Sequence, residues 1–255
     1  MRKKYRLIWF QHLHKAAGST IVATAIRNNE KLFPNHKNGN PVDKNGNYLD
    51  FNDISQEELE SFIDNCQKKG VTFIATEWSS PDFEVLSKDP RVSLITCIRK
   101  PLERLVSNFR YDLYRLYTGV DKIEKYIDSG DVHTRNNYYC RVFAHEHSFD
   151  KIIRKHSFKI AQRNLSLFDF IVIQENRNDF NKLNQYLNWS NKTLHAGRSY
   201  SSMHPYIKLL FHGQLNLFLN YLFKKKIVVS DVFKQRFNKN NHYDQKLYNY
   251  AKNLH

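Results

Sequence analysis

The residues best suited to chemistry lie in "WFQHLHKAAGSTI", residues 9–21. Lys15 is followed by Ala16, Ala17 and Gly18, then by the hydroxyls of Ser19 and Thr20. Small residues let a backbone approach a ligand closely. A turn from strand into helix aims free N–H groups and the positive end of a helix dipole at an anion. Lysine adds a point charge, so the stretch reads as a phosphate-binding loop. The loop of nucleoside-triphosphate hydrolases, GxxxxGK followed by Ser or Thr, puts its lysine after the glycine. Here the lysine comes first and no such triplet occurs, which disfavours a hydrolase or ordinary kinase.

A second stretch, "LITCIRKPLERLVSNFRY" (94–111), offers a partner. Arg99 stands at the end of an apolar run, Pro101 suits a first helical turn, and Ser107 lies two turns further on. The planar fork of Arg99 suits a second phosphate, and Ser107 adds a hydroxyl. Two anion sites at neighbouring strand ends fit a nucleotide phosphorylated at both its 5′ and 3′ positions.

The elements that must position these groups can be read from the same sequence. "YRLIWFQHL", "VTFIATEW", "RVSLITCIR" and "FDFIVIQE" read as buried strands, each followed by a helical pattern. "ISQEELESFIDNCQKKG" carries a capping box, Ser55 with Glu58, and Gly70 as a stop. Residues 34–52 form an Asn-, Gly- and Pro-rich excursion with a hairpin signal at Asn45-Gly46. Residues 121–165 are expected to be mainly helical, and helices run on to the C-terminus. Four alternations of strand and helix predict an α/β fold, a central parallel sheet flanked by helices on both faces. No linker divides residues 1–255, so one domain is expected.

Composition sets wider limits. A hydrophobic fraction of 41% with 14% aromatics is globular and argues against disorder. The net charge of +15 favours polyanionic partners, but the lysines are scattered and do not choose among them. No RNP-like, zinc-finger or helix-turn-helix signature supports a specific nucleic-acid module. Cys66, Cys97 and Cys140 have no metal-binding spacing, and no metal is expected. No run reaches the length of a membrane span, and the first apolar run is too short for a signal peptide. The expectation is a cytoplasmic protein. The sequons at Asn164, Asn188 and Asn191 would matter only in a secretory lumen.

Together these stretches resemble the carbohydrate sulfotransferases that use 3′-phosphoadenosine-5′-phosphosulfate, especially the heparan sulfate 2-O- and 6-O-sulfotransferase group. That family's first loop is similar to H-x-P-K followed by small and hydroxyl residues, and "HLHKAAGST" matches it with His14 in place of proline. Its second motif is similar to R-D-P-x-x-R-x-x-S, and "RKPLERLVS" matches with Lys100 in place of aspartate. Weaker echoes follow in order: "NNYYCRVFA" (136–144), "FDFIVIQENRNDF" (168–180) and "YDQKLYNYAK" (243–252).

The resemblance implies a P-loop-like three-layer domain that moves a sulfuryl group from that nucleotide to a carbohydrate hydroxyl, in line and without metal. Lys15 would then balance charge on the departing phosphate, with Ala16 to Thr20, Arg99 and Ser107 holding the nucleotide. Arg198 and Ser199, in "LHAGRSYSS", would close over it. The base in this superfamily is a His or a Glu from another strand end. "FIATEWSSPDF" offers Glu77, with Ala75 where relatives carrying H-A-D-W have their histidine. Burial against Trp78 or a like-charged acceptor is expected to raise the Glu77 pKa toward neutrality. His12 is the alternative base and acceptor contact. His133, His145 and His147 are further candidates expected at the surface. Arg135 and Arg141 are placed to meet an acidic acceptor such as a polysaccharide. Two other readings stay open: a sulfotransferase-like protein that binds nucleotide or glycan without catalysis, and a basic nucleic-acid-binding module. The acceptor and the oligomeric state are not legible.

Overall fold

A computed structural model describes residues 5–148, 152–190, 204–223 and 227–254. Its centre is a four-stranded parallel sheet in the order β4-β1-β5-β6. The strands are β1 (Leu7–Gln11), β4 (Phe73–Thr76), β5 (Val92–Ile98) and β6 (Phe170–Ile173). A separate two-stranded ribbon, β2 (His36–Lys37) with β3 (Asn40–Pro41), belongs to the excursion. Every residue of β1 is buried, as a central parallel strand covered on both faces requires.

Alternate residues of β1 feed two cores. Leu7 and Trp9 pack with Ile74, Leu94, Ile98 and the faces of α2 (Gln56–Lys69), α3 (Phe83–Lys88), α6 (Tyr138–Phe143) and α7 (Lys155–Leu165). Ile8 and Phe10 pack with Ile95, Cys97 and Val172 against α1 (Gly18–Arg27) and α8 (Arg177–Tyr186). The result is helices on both sides of the sheet, an α/β architecture in three layers. The capping box at Ser55 and the left-handed Gly70 bound α2. Pro101 opens α4 (Pro101–Arg115).

The segment 121–165 is less helical than its sequence suggests. It holds α5 (Ile123–Tyr126), α6 and α7, with turns between them among the described residues. Four helices, Asp231–Asn240 and His242–Lys252 among them, follow α8 among the described residues. The three cysteines are free and buried. No described helix is long and apolar enough to cross a membrane.

The register places the site. Gln11 pairs with Thr76 of β4 on one side and Thr96 of β5 on the other. The segments leaving β1, β4 and β5 therefore emerge side by side at the carboxyl edge of the sheet, where open α/β sheets bind ligands.

Candidate anion-binding and catalytic site

The three strand ends are tied by side chains before the loop begins. Gln11 Nε2 donates to the carbonyls of Thr76 (3.0 Å) and Ser79 (3.2 Å), and Thr96 Oγ1 donates to the Gln11 carbonyl (2.8 Å). From this anchor the chain turns through His12–Ala17 into α1. Lys15 (φ 60°) and Ala17 (φ 63°) both take the left-handed conformation. For residues with a Cβ this costs about 1–2 kcal/mol each, and such strain gathers at functional sites. Ala17 is the N-cap of α1 without a capping side chain. The N–H groups of Lys15, Ala17, Gly18 and Ser19 find no acceptor among the described residues. They form a cluster of backbone donors suited to an anion.

Cations surround that cluster. The Lys15 ammonium lies 3.9 Å from the centre of the Tyr111 ring, and the Arg115 guanidinium 5.2 Å from the same ring. Arg99 Nη1 reaches the Lys15 carbonyl at 3.4 Å, while Tyr139 Oη donates to the Arg99 carbonyl at 2.7 Å. Burial pulls the Lys15 pKa down to about 8. The carboxylates of Glu77 and Asp112 resist the fall, and the charges of Arg99 and Arg115 reinforce it. Ser107 is half-buried on α4, one turn before Tyr111 and on the same helix face. Lys100 is exposed at the helix start.

Beside the cations sits a carboxylate ringed by imidazoles. Glu77 follows β4, and its N–H donates to Asn40 Oδ1 of the excursion at 2.6 Å. Its carboxylate meets His14 Nδ1 at 2.6 Å and His12 Nδ1 at 3.3 Å. Burial pushes the Glu77 carboxyl up, yet His12, the hydrogen bond and charge of His14, and His133 outweigh it and hold the pKa at about 2. The expected rise toward neutrality is therefore reversed. Trp78 is itself 47% exposed.

His14 continues the network. Its Nε2 lies 2.8 Å from Asn108 Oδ1, Asn108 Nδ2 donates to Tyr126 Oη at 2.7 Å, and Tyr126 Oη donates to Asp112. His14 thus bridges the Glu77 carboxylate and the Asn108 amide, the roles of its two ring nitrogens being set by its tautomer. His133 stacks on His14 with centroids 3.9 Å apart. It is buried, not at the surface as its sequence context suggests, and neither ring nitrogen has a partner. Burial first, then the charges of His14 and Arg104, hold its pKa down to about 2. Arg104, also buried, donates to the His133 carbonyl at 2.8 Å.

The fold thus brings Lys15 to Thr20, Arg99, His12 and Glu77 to one edge. It sets Arg135 and Arg141 elsewhere: they line a cleft with Arg236 and Asn240 that includes none of the loop residues. Arg135 donates to the His147 carbonyl and Arg141 to those of Asn136 and Ser148, so both brace their own segment. His145 is half-buried and His147 exposed. Arg198 and Ser199 lie outside the described residues. Sequence reading missed Asn108, Tyr111, Arg115 and Tyr126. The i, i+4 spacing of Ser107, Tyr111 and Arg115 on α4 was the available signal for two of them. No group of three His, Cys, Asp or Glu side chains among the described residues is arranged to hold a metal ion. No family model matches the chain, and no curated protein matches it.

Proposed function

We propose that this chain is a P-loop-like sulfotransferase that moves a sulfuryl group from 3′-phosphoadenosine-5′-phosphosulfate to a carbohydrate hydroxyl. The observation that carries the reading is one juxtaposition. Unpaired backbone donors with Lys15 and Arg99 stand beside the Glu77–His14 pair, at adjoining strand ends. The first group suits the 5′-phosphosulfate and a second phosphate; the second suits a proton in transit.

In the proposed step the acceptor oxygen bonds to sulfur as the bond from sulfur to the 5′-phosphate oxygen breaks. The departing phosphate takes the electron pair, and Lys15 with the loop N–H groups stabilises it. The hydroxyl proton passes to the histidine cluster. Glu77 near pKa 2 is a poor base by itself. Its role becomes that of the carboxylate orienting an imidazole, as in hydrolytic triads. A neutral His14 keeps Nδ1–H on Glu77 and offers Nε2 to the acceptor. Once protonated, Nε2–H would donate to Asn108 Oδ1, which lies 2.8 Å away.

Incubation with the sulfate-labelled donor and a panel of glycans tests the reading, and the expected result is a sulfated saccharide. Binding of 3′-phosphoadenosine-5′-phosphate with no transfer to any glycan would instead favour a nucleotide-binding protein without catalysis. The full engagement of both His14 nitrogens is the observation on that side.

A further inference from the structure

The edge of the site on the β4 side carries apolar surface that the nucleotide loop does not use. Trp78 is 47% exposed and Tyr48 40% exposed, and their rings stack with centroids 5.6 Å apart and planes at 27°. Tyr48 arrives there because the excursion docks on β4. The Ala75 N–H donates to the Gly39 carbonyl at 3.0 Å, Glu77 N–H donates to Asn40, and the Val42–Tyr48 bridge folds the chain back. The Lys37 ammonium stands 5.3 Å from the Tyr48 ring.

Behind this wall is His133, its ring centre 5.0 Å from that of Trp78. It is 5% exposed and has both nitrogens unpaired. An unmet buried polar group costs about 1–3 kcal/mol, so its retention points to a ligand that meets it. Exposed aromatic faces beside an unmet imidazole suit a ring with an apolar C–H face and hydroxyls at its edge. A pyranose is such a ring.

We propose that Trp78 and Tyr48 form the stacking platform for a pyranose ring of the acceptor, with His133 receiving or donating a hydrogen bond at a ring hydroxyl and Lys37 favouring an anionic substituent. The assignment rests on the carbohydrate reading above. Adenine also stacks on aromatic rings, but the sheet order separates the two. The loop leaves central β1, and Arg99 follows β5 on one side of it. The platform follows β4 on the other. A nucleotide whose second phosphate lies on Arg99 extends toward β5, leaving the β4 side to the acceptor.

Tryptophan quenching tests this directly, because Trp9 and Trp189 are buried and Trp78 alone of the three is exposed. Acrylamide quenching is measured with a tetrasaccharide of alternating glucuronate and N-acetylglucosamine, and separately with 3′-phosphoadenosine-5′-phosphate. The saccharide is expected to shield Trp78, and Tyr48→Ala to weaken that protection about 3- to 10-fold while leaving the nucleotide's melting shift intact. His133→Asn should weaken it too. Shielding by the nucleotide alone assigns the platform to adenine and overturns the proposal, as does shielding by neither. Shielding by the saccharide without sulfate transfer leaves the platform standing and removes the catalytic reading.

Discussion

The imidazole of His12 occupies the space in which a side chain on Gly18 would begin. A Cβ built at Gly18 falls 1.7 Å from His12 Nε2 and 1.8 Å from its Cδ2. The glycine of the loop therefore makes room for a buried ring stacked on Phe10 and facing Glu77.

Gly18→Ala should accordingly force His12 from its place. Overpacking of this kind costs about 1–3 kcal/mol, and the loop N–H groups should lose their alignment. His12→Ala in the same chain restores the space, so the double variant should recover part of that loss. Urea unfolding of the two single variants and the double variant gives the coupling energy. Strictly additive losses would show that the two residues do not compete for one volume.

Glu77→Gln tests the carboxylate. The folded pKa of about 2 lies below the unfolded value of about 4.3, so the ionised group adds stability. That contribution is complete above the unfolded pKa and is lost as pH falls from about 4.3 toward 2. At neutral pH Glu77→Gln should cost on the order of 2–3 kcal/mol, and its acid-unfolding curve should be flatter than wild type in that window. Melting temperatures from about pH 5 to pH 2 check this. Parallel curves for the two proteins would mean that the histidines do not hold the carboxylate.

Tyr126→Phe interrupts the chain from His14 to Asp112. It strips the buried Asn108 Nδ2 of its acceptor and the half-buried Asp112 of its donor. Leaving these groups unpaired should cost about 1–3 kcal/mol. If the chain positions Asn108 under His14, sulfate transfer should also slow by about tenfold at unchanged acceptor KM. A variant that loses stability but keeps full kcat would make the chain purely structural.

What the sequence disclosed follows from local rules. The apolar run of β1 and the small residues after it mark a strand, a turn and a helix start. Pro101 marks where β5 ends and so where Arg99 must sit. The imidazole cluster was hidden because His14, Glu77, Asn108 and His133 come from four separate segments joined only by packing. His133 lies in the polar run "DVHTRNN", which has no buried periodicity; its burial depends on Arg104 and Tyr138 from other elements. The later motif echoes carry contacts that brace this edge, and Tyr138 of the first echo accepts from the His14 N–H at 3.1 Å. Asn137 accepts from the N–H groups of Tyr243 and Asp244, and Asp244 accepts from those of Tyr139 and Cys140. Glu175 joins the Lys100 N–H to Tyr248. These contacts hold the carboxyl edge in shape.

The last prediction concerns Lys15, whose pKa of about 8 in the folded protein lies below the unfolded value of about 10.4. The folded state disfavours the charged form, so below about pH 8 the empty protein bears the full cost of that charge, and stability rises between about pH 8 and 10.4. Lys15→Met should remove the cost, raising stability at neutral pH by about 1–3 kcal/mol and flattening the alkaline rise. A phosphate at the loop reverses the preference, because an adjacent anion favours the ammonium. Binding of 3′-phosphoadenosine-5′-phosphate should therefore weaken as pH rises through about 8, and near pH 8.5 it should take up part of a proton. Calorimetry in buffers of different ionisation enthalpy measures that uptake. In Lys15→Met the uptake should vanish, and sulfate transfer should fall about 10²-fold or more, as for loss of one preorganised cation. Proton uptake that persists in Lys15→Met would place the titrating group elsewhere and leave the lysine without a part in holding the phosphate.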